Sequence, residues 1–315
     1  MRRGADSCYL ARAAPRLAPS QDASDHRRTE TETTGHAQMN LILPPEVASD
    51  LDPLIVTSPT IRSGTTLLQR LLCSSRDALV YGEECGKDLE LMLQIYRSKA
   101  VSYLYSRERL SAILRGVLDG EVNQWTADLM PDVDGYVGAF GRASLAGLAY
   151  CRDYAAALGR PVWGIKYPGW PPNFISLIRR AMPKSRFIII YRNVADCLRS
   201  AKARGSVASE QAARQFCADW KNNLSFMLAM RGDPSVLLLK YAELVAEPES
   251  VIEALAGFTG ARDIRPETLS HRINVEGASP TDQPHYVEPA ALTETEKRIA
   301  DEAAAAFEAE RQEEK

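Results

Sequence analysis

Leu54-Ile-Val-Thr-Ser58-Pro-Thr-Ile-Arg62-Ser-Gly64-Thr-Thr-Leu-Leu68-Gln-Arg-Leu-Leu72 is the stretch that decides how the rest of the chain is read. Its first five residues, 54–58, are apolar and rich in β-branched side chains, and Pro59 stops them, which predicts a short buried strand. A turn from Thr60 to Gly64 follows. Leu67, Leu68, Leu71 and Leu72 then recur at helical spacing, so the segment reads as strand, loop, helix. Such a turn gathers unpaired backbone N–H groups at the start of the helix, where an anion is stabilised. Gly64 allows close approach, the hydroxyls of Ser63, Thr65 and Thr66 add donors, and Arg62 offers a forked cation suited to phosphate or sulfate.

The same strand-then-helix pattern recurs outward from this point. Val162–Lys166 reads as a strand stopped by Pro168, and Pro171-Pro172 opens a helix running to about Ala181. Arg186–Tyr191 (Arg-Phe-Ile-Ile-Ile-Tyr) is the strongest strand signal, followed at once by a helix from Val194 to about Ala203. A longer helix over 208–231, a buried strand over 235–240 and a helix from Pro248 continue the alternation. Residues 87–160 carry mixed helical patterns and form a helical insertion. The expectation is an α/β fold: a P-loop-like parallel sheet flanked by helices, with that insertion. In such folds ligands bind beyond the carboxyl ends of the strands, and three chemically loaded segments, 59–66, 166–169 and 191–204, fall there.

Composition excludes several function classes. The chain has 315 residues, 45% hydrophobic and 25% charged, with a net charge of −3, which gives no global attraction to nucleic acid or a membrane surface. No apolar run approaches the roughly 20 residues of a membrane span. Residues 1–40 are polar, contain no continuous apolar core of a secretory signal and read as a disordered extension, with Met39 an alternative start; residues 41–315 hold the folded domain. The six cysteines form no CxxC pair and predict reduced thiols in a cytoplasmic protein. The four histidines, at 26, 36, 271 and 285, have no zinc-binding spacing, and no metal is expected.

Pro59–Gly64 has the span of a nucleoside-triphosphate loop, yet Thr65 stands where that loop has lysine, its first glycine is missing, and no nearby strand ends in a magnesium-binding Asp. A nucleotide-dependent kinase is therefore the lesser alternative. Arg62-Ser63-Gly64-Thr65-Thr66-Leu67-Leu68 after a strand resembles instead the 5′-phosphosulfate loop of sulfotransferases that use 3′-phosphoadenosine 5′-phosphosulfate (PAPS). Arg192 at the end of its strand, Ser200 eight positions on and Arg204 four further resemble that family's 3′-phosphate segment. The geometry is sound, because Ser200 and Arg204 share one helix face at i, i+4. The resemblance spans about residues 41–290. Pro59 and Ile61 replace residues of the usual loop.

Arg62 and Gly82-Glu83-Glu84 resemble the tyrosylprotein sulfotransferase branch, whose general base is a glutamate. The resemblance implies Glu84 as that base, with Glu83 the alternative because one extra residue separates loop and acidic pair. No histidine lies between Arg62 and Arg192, so a histidine base is ruled out on inventory. Lys166 resembles the branch's lysine near the transferring group, Tyr241 a tyrosine near the adenine, and Ser279–Gln283 a late loop over the cofactor. The implied reaction is sulfuryl transfer from PAPS to an acceptor hydroxyl on a small metabolite, sugar or tyrosyl group, releasing adenosine 3′,5′-bisphosphate. A PAPS-binding protein without catalysis is the second alternative. Nothing in the sequence assigns the acceptor or an oligomeric state.

Overall fold

The computed structural model describes residues 49–313, apart from 124, 126–127, 272, 274 and 277–284. Residues 1–40 and the late loop Ser279–Gln283 lie outside the described residues. Five strands form one sheet: β1 (Leu54–Thr57), β2 (Ala78–Tyr81), β3 (Val162–Lys166), β4 (Arg186–Tyr191) and β5 (Val236–Lys240). All pairings in it are parallel, in the order β2-β3-β1-β4-β5. Helix α1 (Thr65–Cys73) leaves β1; α2 (Glu83–Tyr105), α3 (Arg107–Leu118), α4 (Val133–Ser144) and α5 (Ala146–Ala157) lie between β2 and β3. Helix α6 (Pro172–Ala181) joins β3 to β4, and α7 (Val194–Ala203) and α8 (Glu210–Ala229) join β4 to β5. After β5 come α9 (Tyr241–Ala246), α10 (Pro248–Thr259), a 3-10 turn over Pro266–Ser270, the antiparallel pair β6 (Val275–Glu276) and β7 (His285–Tyr286), and α11 (Glu294–Glu313).

The apolar runs of β1 and β4 follow from helices covering both faces of the sheet. Successive side chains alternate between the two layers. Leu54, Val56, Ile188 and Ile190 pack with Leu68, Leu71 and Leu72 of α1 and Leu255 of α10. Ile55, Ile165, Phe187 and Ile189 pack on the opposite side with Leu89 and Leu93 of α2 and Ile175 and Ile178 of α6. A third cluster joins α7, α8 and α11 around Val194, Leu198, Trp220 and Phe307. Truncating a fully buried residue such as Ile188 would cost about 2–5 kcal/mol.

The structure departs from the sequence reading at several elements. The strand over 235–240, expected to be buried, is the edge strand β5, in which Leu239 is buried, Val236–Leu238 are half-buried and Lys240 is exposed, because no strand covers its outer side in the sheet. Strand β2 was not anticipated: Ala78–Tyr81 is four residues long, too short to show a period, and it is organised by pairing with β3, Ala78 opposite Val162. Helix α2 begins at Glu83, four residues before the expected insertion, so Glu83 and Glu84 form its acidic first turn, where the helix dipole favours negative charge. Helix α9 starts immediately after β5, at Tyr241.

The sheet order places β1 between β3 and β4. The carboxyl ends of these three neighbours therefore open on one edge, and the segments 58–64, 167–171 and 192–193 meet there.

Candidate active site

The turn between β1 and α1 is built on two residues in the left-handed region, Arg62 at φ 69° and Gly64 at φ 104°. Gly64 is required twice over, because a side chain disfavours that conformation and a Cβ would lie 2.5 Å from Cδ2 of Tyr241. The turn is internally pinned: Ser58 Oγ donates to the Thr60 carbonyl at 2.7 Å and Ser63 Oγ to the same oxygen at 2.9 Å. From α8, Asn223 Nδ2 donates to the Pro59 carbonyl at 2.8 Å. From α7, Cys197 Sγ lies 3.5 Å from Ser63 Oγ; burial pushes this thiol up to about 11 and keeps it protonated. No side chain caps α1, so its first-turn N–H groups face the space beside Gly64, the arrangement that receives an anion.

Positive charge converges on the same edge. Arg62 Nε donates to Ser200 Oγ at 3.0 Å. Its guanidinium pKa is lowered, first by burial and then by Arg204, with Arg192 adding to the effect and Glu83 opposing it. Arginine stays protonated regardless; the direction reflects first its burial and then the neighbouring Arg204 and Arg192 cations, and a bound anion would offset both. Arg192 immediately follows β4, its carbonyl accepting from Trp220 Nε1 at 3.0 Å and its guanidinium carbon 4.6 Å from the centre of the Tyr241 ring. The buried Arg192 Nε is 3.4 Å from Asp196 Oδ2 but lacks hydrogen-bond geometry. Ser200 is buried near the end of α7, and Arg204 follows as that helix's C-cap. Tyr241 is thus wedged between Gly64 and Arg192.

Lys166, at the end of β3, is 4% exposed. Its Nζ donates to Thr66 Oγ1 at 3.2 Å and pairs with Glu83 Oε1, so one buried ammonium bridges the anion loop and the first turn of α2. Helix α2 approaches closely because residue 86 is glycine; a Cβ there would lie 2.6 Å from Cβ of Tyr167. Glu83, Gly86 and Glu90, at i, i+3 and i+7, form the face of α2 turned to segment 166–171. Glu84 is exposed on the adjoining face.

Beside the loop lies a pocket of about 390 Å³ lined by segments 59–61 and 167–171, by Glu90 and by Phe216, Asp219 and Asn223 of α8. The Tyr167 ring stacks on Trp170 with centroids 5.0 Å apart, and Trp170 Nε1 donates to Glu90 Oε2 at 3.2 Å.

Of the residues expected from the sequence, the structure brings together Arg62, Ser63, Gly64, Thr65, Thr66, Lys166, Arg192, Ser200, Arg204 and Tyr241. Glu83, the alternative acid, meets Lys166. The pocket residues Glu90, Asp219 and Asn223 escaped the sequence reading, whereas Tyr167 falls in the segment 166–169 expected at the strand ends. The spacing from Glu83 through Gly86 to Glu90 was the available signal for Glu90, whereas Asp219 and Asn223 sit in an ordinary amphipathic helix. Among the described residues, no group of three or more His, Cys, Asp or Glu side chains is placed to hold a metal ion, and no helix is long and apolar enough to cross a membrane.

A family model described as the sulfotransferase family matches residues 53–264. No curated protein matches the sequence. Similar solved structures include the sulfotransferase domain of the olefin synthase of Synechococcus PCC 7002, at 16% identity over 81% of this chain and 97% of that one, TM-score 0.43. Sulfotransferase STF9 of Mycobacterium avium is 15% identical over 82% of this chain and 78% of that one, TM-score 0.39. Mouse sulfotransferase SULT7A1, complexed with PAP, is 11% identical over 81% of this chain and 84% of that one, TM-score 0.44.

Proposed function

The chain belongs to the sulfotransferase family, and on that premise we propose that it transfers the sulfuryl group of PAPS to an acceptor hydroxyl. The observation that carries this reading is the hydrogen bond between Arg62 of the anion loop and Ser200 of α7. It makes two anion-binding elements, one at each of two neighbouring strand ends, a single charged surface suited to a nucleotide with separate 5′ and 3′ anionic groups. The α1 N–H groups, Arg62, Ser63, Thr65 and Thr66 would hold the 5′-phosphosulfate. Arg192, Ser200 and Arg204 would hold the 3′ phosphate, with Tyr241 keeping Arg192 in place by its ring face.

In the reaction, the acceptor oxygen forms a bond to sulfur while the bond from sulfur to the 5′-phosphate oxygen breaks. The acceptor proton passes to a carboxylate, and the products are a sulfate ester and adenosine 3′,5′-bisphosphate. Lys166 and Arg62 offset the charge that grows on the leaving oxygen, a preorganised electrostatic role. The motif resemblance favours Glu84 as base, but geometry favours Glu83, which lies on the α2 face turned to the site and touches Lys166. We take Glu83 as the base. Its side chain is half exposed beside Lys166, where it would take the acceptor proton.

The test is transfer of radiolabelled sulfate from PAPS to a panel of hydroxyl compounds, alongside calorimetric binding of adenosine 3′,5′-bisphosphate and AMP. Turnover with preference for the bisphosphate supports the reading. Tighter binding of magnesium–ATP, without sulfate transfer, would replace it with a kinase. Bisphosphate binding with no turnover on any acceptor would leave a PAPS-binding protein.

A further inference from the structure

The pocket beside the loop is charged opposite to the loop itself. Arg62 and Lys166 turn toward Ser200 and toward Thr66 and Glu83, while their sequence neighbours Ile61 and Tyr167 line the pocket. Adjacent residues thus separate a cationic side from a side that, among the described residues, is lined by no Lys or Arg and by two carboxylates, Glu90 and Asp219. Both carboxylates are oriented by neighbours. Glu90 accepts from Trp170 Nε1 at 3.2 Å and from Gln94 Nε2 at 3.0 Å, and Asp219 accepts from Gln215 Nε2 at 2.8 Å. The rest of the lining presents two flat aromatic surfaces, Tyr167, backed by the fully buried Trp170, and Phe216, together with the uncharged polar residues Thr60 and Asn223, whose amide donates to the Pro59 carbonyl. Burial, and after it the carboxylates Glu90, Glu83 and Glu84 in that order, raise the Tyr167 hydroxyl's pKa above its ordinary value.

Resting on the sulfotransferase reading, we propose that this pocket receives a cationic acceptor, a hydroxyl-bearing amine with a flat apolar body. Aromatic faces and carboxylates together recognise an ammonium group. The volume of about 390 Å³ is within the range of roughly 300–1,000 Å³ that holds a small metabolite. An acidic acceptor would meet Glu90 and Asp219 without a compensating cation on the lining, so the arrangement selects against it as well as for an amine.

Three phenols of similar size separate charge from shape: tyramine, para-ethylphenol and para-hydroxyphenylpropionate. Each is titrated calorimetrically into the full chain saturated with adenosine 3′,5′-bisphosphate, and each is then assayed as sulfate acceptor. Tyramine should bind roughly tenfold more tightly than para-ethylphenol, the sum of one cation–π contact and one partly exposed ion pair, and the carboxylate should bind most weakly. In the double variant Glu90→Gln, Asp219→Asn, the ratio of tyramine to para-ethylphenol affinity should fall toward one; this ratio does not move if the variant is merely less stable. Equal or tighter binding of the neutral or acidic phenol overturns the inference, as does failure of all three to bind while the bisphosphate still binds. Failure of the bisphosphate itself to bind overturns the underlying sulfotransferase reading instead.

Discussion

Arg62 Nε donates to Ser200 Oγ at 3.0 Å, tying the turn before α1 to α7 across 138 residues of sequence. On the proposed reading, the contact makes Ser200 a part of both anion elements at once. Ser200→Ala should therefore weaken adenosine 3′,5′-bisphosphate by roughly tenfold or more, as expected for loss of a hydrogen bond to a charged group. AMP, lacking the 3′ phosphate, should lose much less. Paired calorimetric titrations measure this, and equal losses for the two nucleotides would remove Ser200 from the 3′-phosphate site.

Arg192 stands at the other side of that site, held by Trp220 and Tyr241. The bisphosphate should raise the wild-type melting temperature and raise that of Arg192→Ala far less, because a ligand stabilises in proportion to its affinity for the folded state. Similar shifts in both proteins would assign Arg192 a packing role only.

Arg62→Lys retains charge but loses the fork that can hold Ser200 and an anion oxygen together. Sulfate transfer should fall about 10–100-fold, the scale set by losing one preorganised donor, with little change in melting temperature. Wild-type turnover in this variant would show that charge alone suffices at position 62.

Glu83→Gln should reduce transfer by about 10²–10⁴ with every acceptor while nucleotide affinity is retained, the cost of removing a positioned base. Glu84→Gln should stay within a few-fold of the wild type. The reverse pattern would restore Glu84, the residue favoured by the motif; full activity in both would place the base elsewhere.

Asp233 supplies the pH dependence. The hydroxyl and backbone N–H of Ser235, followed by Arg179, hold its carboxyl at about 2, below the roughly 3.9 of an unfolded chain. The folded state thus favours the ionised form, so the stabilisation is complete above about pH 4 and is lost as pH falls through the folded value. The stability difference between wild type and Asp233→Asn, followed by urea unfolding, should hold steady from pH 6 to about pH 4 and shrink steadily from about pH 4 to about pH 2. A difference that stays constant over the lower interval would show that Asp233 keeps its proton affinity on unfolding.

Much of the fold was legible because its signals are local. Strands β1 and β4 lie inside the sheet and carry unbroken apolar runs; β3 and the edge strand β5 are apolar up to a terminal lysine, and Pro59 and Pro168 follow the ends of β1 and β3. The anion loop was legible for the same reason, since turn, glycine and hydroxyls are neighbours in the chain. Strand β2 was not, because four residues carry no period and its conformation comes from pairing with β3.

The sequence by itself determined the alternation of strands and helices, the glycine turn that leads from β1 into α1, and the arginines proposed to serve a second phosphate. Only the tertiary structure decided that Arg62 reaches Ser200, that Tyr241 seals Gly64, and that Lys166 meets Glu83. The reason is directional. Consecutive residues on a helix point about 100° apart, so Glu83 and Glu84 are equivalent as letters and different as neighbours, and their difference becomes fixed only when Gly86 seats α2 against Tyr167. The pocket is further still from the sequence, because Ile61, Glu90, Tyr167 and Asp219 belong to four segments whose meeting depends on the order of the strands and not on the spacing of the residues.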